Sequence, residues 1–268
     1  NQRHTTSDWM EIEKQRGISI STSVLQFQYA DWQINLLDTP GHKDFSEDTY
    51  RTLTAADAAV MLIDAAKGVE PQTRKLFEVC RMRGLPIFTF INKMDRPSRE
   101  PLDLIDELEK VLGIRSTPMS WPIGSGSRFR GVYDIRDQSV LFFNTGGVAN
   151  VRERLQSRKF AGLDHPELLK ALGGPRNDLD EAKDLLETLK AELELVQVAG
   201  DAFDTKQVLA GQLTPVYFGS AMNNFGVQNF LESFIQNAPA PPARMIETGD
   251  EVLPTSPHFS GFIFKIQA

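Results

Sequence analysis

Three short apolar runs constrain this chain more than any other feature: residues 58–63 (A-A-V-M-L-I), 86–91 (P-I-F-T-F-I) and 215–218. Runs of this length without polar alternation read as strands buried on both faces. Amphipathic segments lie between and after them. Residues 71–83 have Pro71 near the start and Gly84 as the stop. Residues 101–112 carry Leu102, Ile105, Leu108 and Leu112 on one stripe, and 226–236 group Phe230, Leu231, Phe234 and Ile235. Buried strands alternating with such helices imply an α/β fold, a mostly parallel sheet with helices on both faces. Residues 24–37 alternate instead, with Leu25, Phe27 and Tyr29 opposed to Gln26 and Gln28. That pattern predicts a half-buried antiparallel hairpin adding one antiparallel edge to the sheet.

The rhythm breaks between about 121 and 213. This stretch opens with Gly124-Ser125-Gly126-Ser127, contains a hairpin-like part at 131–143, and ends in an acidic helix over about 178–198. It reads as an inserted subdomain within a domain spanning 1–236. Residues 237–254 begin with a Pro/Ala linker, N-A-P-A-P-P-A, which cannot continue a helix. Residues 255–268 contain F-S-G-F-I-F-K-I, which looks like the first strand of a following β-barrel domain.

Composition removes several function classes. The chain has 268 residues, Lys+Arg 29 against Asp+Glu 36, and a net charge of −7. A nucleic-acid binder that uses a basic face over its whole surface is excluded, although docking on a ribonucleoprotein through a local patch is not. No segment reaches the roughly 18–20 apolar residues of a membrane span. The lone Cys80 offers neither a disulfide nor a cysteine metal site, and a reducing, cytoplasmic setting is expected. His4, His165 and His258 share no ligand spacing. Cys80, Trp9, Trp32 and Trp121 are expected in packing roles, and the acidic helix reads as a solvated face.

The chemistry sits at strand ends. After the hairpin comes Asp38-Thr39-Pro40-Gly41-His42. A carboxylate at the end of a strand can hold a metal through water, and Gly41 lets a backbone N–H approach a phosphate. An ordinary Asp-Pro-Gly turn is the plain alternative. The run 86–91 ends in Asn92-Lys93-Met94-Asp95, at the carboxyl edge where open α/β sheets bind ligands. Asp95 could accept two hydrogen bonds from the N1–H and 2-amino groups of guanine, a pairing adenine does not offer, with the Lys93 stem over the base. A polar loop between strand and helix is the alternative. The run 215–218 ends in Gly219-Ser220-Ala221-Met222, small residues whose N–H groups could reach the guanine O6.

In this order, D-T-P-G-H, N-K-M-D and G-S-A resemble the third, fourth and fifth nucleotide motifs of the translational GTPases. Q-R-G-I-S-I at 15–20 looks like their switch I. Within the superfamily, Ser19 in place of Thr, F-S-E-D-T-Y-R-T-L-T at 45–54 and W-P-I-G at 121–124 are similar to the bacterial release factor 3 family. The resemblance implies a P-loop-NTPase-type G domain with an inserted subdomain. It implies hydrolysis of GTP to GDP and phosphate with Mg²⁺, on the ribosome and its ribosomal RNA near the GTPase centre, beside the stop-codon-decoding release factors. It implies no membrane or DNA partner, and a monomer. An elongation factor G-type translocase and a non-catalytic guanine-nucleotide switch remain alternatives.

Carried over residue by residue, the resemblance gives Asp38 to Mg²⁺ through water, with Thr39 and Pro40 beside it. It gives Gly41 to the γ-phosphate and His42 to orienting the attacking water. Gly17, Ile18 and Ser19 form switch I, with Ser19 as Mg²⁺ ligand. Asn92, Lys93, Met94 and Asp95 read guanine, with Ser220 and Ala221 beside them. One departure stands out: the residues contain no G-x-x-x-x-G-K-[ST] phosphate loop. The expectation is a piece of a longer protein, poor at binding or hydrolysing GTP alone.

Overall fold

The computed structural model describes residues 23–39, 46–142 and 158–264. Strands β1 (Ser23–Tyr29) and β2 (Trp32–Asp38) form an antiparallel hairpin from Ser23↔Asp38 to Tyr29↔Trp32, turning at Ala30 with φ 50°. Helix α1 (Ser46–Thr52) follows. Then come β3 (Ala59–Asp64), α2 (Pro71–Met82), β4 (Ile87–Asn92), α3 (Pro101–Leu112) and β5 (Arg115–Pro118). Pro occupies the first turn of α2 and of α3, where its missing N–H costs nothing. Gly113 ends α3 in the left-handed region, at φ 65°.

The chain next builds a second, antiparallel sheet. It comprises β6 (Ser120–Ile123), β7 (Gly131–Asp134), β8 (Ser139–Phe142) and β9 (Arg158–Ala161), in that spatial order. Helices α4 (Leu168–Leu172) and α5 (Leu179–Ala199) follow. The Asp178 carboxylate caps α5, accepting from the N–H groups of Asp180 and Glu181 at 3.1 and 3.0 Å. After α6 (Thr205–Leu209) the chain returns to the first sheet through β10 (Leu213–Phe218), then forms α7 (Val227–Asn237). Short strands β11 (Arg244–Met245) and β12 (Glu251–Val252) pair within the stretch read as linker.

The first sheet has the order β3-β4-β10-β5, all parallel. Its register pairs Asp64 with Asn92 and Phe218 with Ile91, so three carboxyl ends lie level. Helices cover both faces. Phe77 and Cys80 of α2 and Leu108 and Leu112 of α3 pack with Ile87 in one core. On another side, Phe230 and Phe234 of α7 pack on Phe88. A third, larger core joins Ile63, Ile91 and Phe218 to Trp121 and Ile123 of β6 and Leu185 and Leu189 of α5. The two sheets therefore share one apolar interior. No helix among the described residues is long and apolar enough to cross a membrane.

Three expectations need correction. The hairpin does not extend the parallel sheet. It is a separate two-stranded sheet, because no hydrogen-bond ladder joins it to β3 among the described residues. Residues 58–63 do not form a strand buried on both faces: among the described residues β3 is an edge strand, and Val60 and Leu62 are 39% and 61% exposed. Trp32 is 54% exposed on the hairpin, where no second layer covers it among the described residues, whereas Trp121 is fully buried as expected. The expected barrel strand at 259–266 lies partly outside the described residues, and its described part, 259–264, carries no regular secondary structure. Trp9 and His4 lie outside the described residues.

Candidate functional site

The level carboxyl ends of β3, β4 and β10 carry Asp64, Asn92 and Gly219. Asn92 is the staple between two loops. Its Oδ1 accepts from Lys93 N at 2.8 Å and from Ala221 N at 2.9 Å. Lys93 adopts φ 73°, a left-handed conformation that non-glycine residues seldom take. This turn delivers Lys93 Nζ to Oδ2 of Asp64, 2.6 Å away. Asp64 also accepts from Ala66 N at 2.9 Å. Burial opposes the charge on Asp64, but the Lys93 hydrogen bond, the Ala66 N–H and the Lys93 and Lys67 charges outweigh it and hold its carboxyl below the usual range.

Met94 is buried with no exposure, and its peptide is held on both sides. Its N–H donates to Gly219 O at 3.1 Å, and its C=O accepts from Gly126 N at 2.8 Å. Asp95 follows, with Oδ2 accepting from Asn223 Nδ2 at 3.1 Å. Among the described residues its second oxygen, Oδ1, accepts no side-chain hydrogen bond.

The loop after β10 is equally determined. Gly219 leaves no room for a side chain: a Cβ there would lie 2.1 Å from Phe225 O and 2.8 Å from Phe90 Cζ. Ser220 and Phe225 exchange backbone hydrogen bonds at 3.0 and 2.9 Å. The N–H groups of Ser220 and Ala221, expected to face guanine O6, are here donated to Phe225 O and Asn92 Oδ1. They hold the loops together.

The structure thus brings Asn92, Lys93, Met94, Asp95, Ser220 and Ala221 into one constellation. Asp38 closes β2 opposite Ser23 in the separate hairpin sheet, and Thr39 follows it. Pro40, Gly41, His42, Gly17, Ile18 and Ser19 lie outside the described residues. A carboxylate and a hydroxyl, Asp38 and Ser19, are a hard-oxygen pair suited to Mg²⁺, which takes few protein ligands beside phosphate and water. Among the described residues no cluster of three His, Cys, Asp or Glu side chains forms a metal site of another kind. Sequence reasoning missed two residues here, Asp64 and Asn223. Asp64 carried a signal, since it ends an apolar run as Asn92 does.

Comparison with known proteins gives the family and the fold. The family model for the elongation factor Tu GTP binding domain matches residues 1–240. Peptide chain release factor 3 of Rippkaea orientalis is 57% identical over 268 residues, covering 100% of this chain and 47% of that protein. The Synechococcus elongatus protein of the same name is 58% identical over 269 residues, covering 100% and 46%, and that of Symbiobacterium thermophilum is 55% identical over 267, covering 99% and 48%. The chain spans about half the length of the curated relatives it matches. A crystal structure of a Thermus thermophilus protein shares the fold with a TM-score of 0.65 at 24% identity, over 88% of this chain and 34% of that one. The chain belongs to the translational GTPase superfamily, through its elongation factor Tu GTP binding domain.

Proposed function

We propose that this chain is the guanine-nucleotide domain of a ribosome-dependent GTPase that acts in translation termination and recycles the stop-codon-decoding release factors. The observation that carries the reading is the stapled pair of loops. Asn92 fixes the N-K-M-D turn to Gly219–Ala221, and Asp95 is oriented beside it with an open carboxylate oxygen. Carboxylate acceptors in that position select a base presenting adjacent N–H donors, which is the edge of guanine. The 55–58% identity to proteins named peptide chain release factor 3 favours termination over translocation.

In this reading His42 orients the attacking water, and Asp38 and Ser19 hold Mg²⁺, whose charge offsets that developing on the phosphates. Catalysis is then positioning and electrostatics, with no covalent intermediate on the protein. Gly41 meets the γ-phosphate, and Ser19 couples switch I to it. The ribosome, with its ribosomal RNA, is the activating partner, and the protein works as a cytoplasmic monomer. Residues 1–236 form the G domain with an inserted subdomain at about 121–213. Residues 237–254 are the linker, and 255–268 begin a β-barrel domain.

Asp95→Asn tests the reading. In the full-length protein it exchanges an acceptor for a donor, which matches the 2-carbonyl of xanthine. GTP binding should fall and xanthosine triphosphate binding should rise, along with ribosome-stimulated hydrolysis of the latter. An unchanged preference for GTP in competition binding would remove the guanine assignment.

A further inference from the structure

The turn that backs the base-reading loops is gripped from a distance by one carboxylate. Residues Gly126–Arg128 form a single 3₁₀ turn immediately after β6. Gly126 N donates to the buried C=O of Met94, the residue before Asp95, at 2.8 Å. Three residues on, the Phe129 ring meets Phe225 edge-on with centroids 5.1 Å apart. Phe225 in turn exchanges two backbone hydrogen bonds with Ser220. One turn therefore supports both loops of the candidate site.

That turn is held by α5. Glu181 Oε1 accepts from Arg128 Nε at 3.1 Å, and Glu181 Oε2 from Arg130 Nη2 at 3.0 Å. Arg130 also donates to Leu172 O at 3.1 Å and Ser127 O at 2.8 Å, so its planar fork spans the turn, α4 and α5. Arg128 makes a second ion pair with Asp184. The Arg130 and Glu181 side chains are only 14% and 24% exposed, so water and salt screen this pair less than a surface one. Gly124, at φ 73°, lies so close beneath the turn that a Cβ would meet Arg128 O at 2.4 Å. Helix α5 is independently secured on the second sheet by Leu185, Leu189 and the Trp121 Nε1–Glu192 hydrogen bond of 2.7 Å, so the Glu181 contacts are not what keeps it docked.

We infer that Glu181 is a positioning residue for guanine recognition, acting through Arg128 and Arg130 on the 126–129 turn and thence on Met94–Asp95 and Ser220. The inference rests on the guanine reading of Asp95. Its consequence is a mechanical link between α5 and the base. A load that pulls the first turn of α5 off the arginines loosens the nucleotide, and by linkage the bound nucleotide steadies that turn.

The test uses the full-length protein and Glu181→Gln, which keeps the shape and removes the charge. Dissociation of N-methylanthraniloyl-GDP should quicken roughly tenfold, the scale of a charged hydrogen bond lost from a shielded site. The preference for GDP over inosine diphosphate, which lacks the 2-amino group, should narrow at the same time. General destabilisation would weaken both diphosphates equally, so the ratio separates positioning from mere folding. Glu194→Gln, exposed on the same helix, should leave the rate and the ratio unchanged. Phe129→Leu, which loosens the same turn from its apolar side, gives a second reading if Glu181→Gln folds poorly. Wild-type rate and ratio in the folded variants, or a loss of binding shared equally by GDP and inosine diphosphate, overturns the inference. If Asp95→Asn shifts base choice while Glu181→Gln does nothing, this inference alone fails. If Asp95→Asn has no effect, the guanine reading itself fails.

Discussion

Lys93 Nζ lies 2.6 Å from Asp64 Oδ2, joining the last residue of β3 to the residue that follows β4. The pair decides where the Lys93 stem points. An unpaired lysine in a left-handed turn would sweep through solvent, whereas this one is held across the strand ends against β3.

Replacing Asp64 by Asn should therefore weaken nucleotide binding without unfolding the chain. Lys93 is nearly half exposed, so the pair's contribution is discounted for solvent, and a rise of about fivefold in the GDP dissociation constant is expected. The pH dependence follows from the depressed Asp64 carboxyl. A carboxyl whose pKa is lower folded than unfolded contributes its full stability above the ordinary value of 3.8 and loses it as pH falls through the lower folded value. Binding at pH 7 should thus be unaffected by small pH changes through this group, and acid unfolding of Asp64→Asn should lose part of its steepness below about pH 4. Fluorescence titration with labelled GDP and an acid-unfolding curve check both points.

Gly219→Ala should be severe although the backbone there is not left-handed. The added methyl would overlap Phe225 O and crowd the Phe90 ring, so the loop must move. That movement breaks the Ser220–Phe225 exchange and the Met94 N–H bond together. A loss of about 1–3 kcal/mol in unfolding free energy is expected, with weakened nucleotide binding beside it. A wild-type melting temperature would show that the loop yields without cost.

Inside the parallel sheet, the hydroxyls of Thr89 and Thr214 meet at 2.9 Å, and Thr214 also donates to Ile87 O at 2.8 Å. Thr89 must then be the donor between them. Thr214→Val strands both the Thr89 hydroxyl and the Ile87 carbonyl, and should cost about 1–3 kcal/mol. Thr89→Val removes only one bond and should cost less. The double variant should recover part of the loss, because the stranded Thr89 donor is gone. Denaturant melts of the three proteins form the cycle that measures this.

Much of this fold was legible because β4 and β10 are covered on both faces. Their apolar runs report burial directly, and the polar residues after them mark the strand ends. The run at β3 is just as apolar, yet Val60 and Leu62 open outward. Periodicity records which residues avoid water but not whether a neighbouring strand is there to cover them. The antiparallel sheet was only half legible. Gly131–Asp134 and Ser139–Phe142 read as a hairpin, whereas β6 and β9 are four-residue strands without clear alternation, one containing Pro122. In the candidate site, Asn92–Asp95 stood out because its residue types and order are unusual. Asn223 did not, because its role depends on a 3₁₀ turn that swings its amide across 128 positions of sequence to Asp95.

In the proposed function the hydrolytic step is assigned to His42, directly after the Pro40-Gly41 pair that follows the hairpin. If the ring orients water, it touches the reacting atoms only when the ribosome completes the site. His42→Ala in the full-length protein should then bind GTP within about 1 kcal/mol of wild type, since the ring adds no ground-state contact. Ribosome-stimulated hydrolysis should fall by at least ~100-fold, the scale for losing a group that positions a reactant or assists proton transfer. The GTP-bound protein should also remain longer on the ribosome, because release follows hydrolysis in this reading. Single-turnover hydrolysis with ribosomes in excess separates the chemical step from binding. A wild-type rate there would remove His42 from the mechanism, and a loss of GTP affinity matching the loss of rate would make it a binding residue instead.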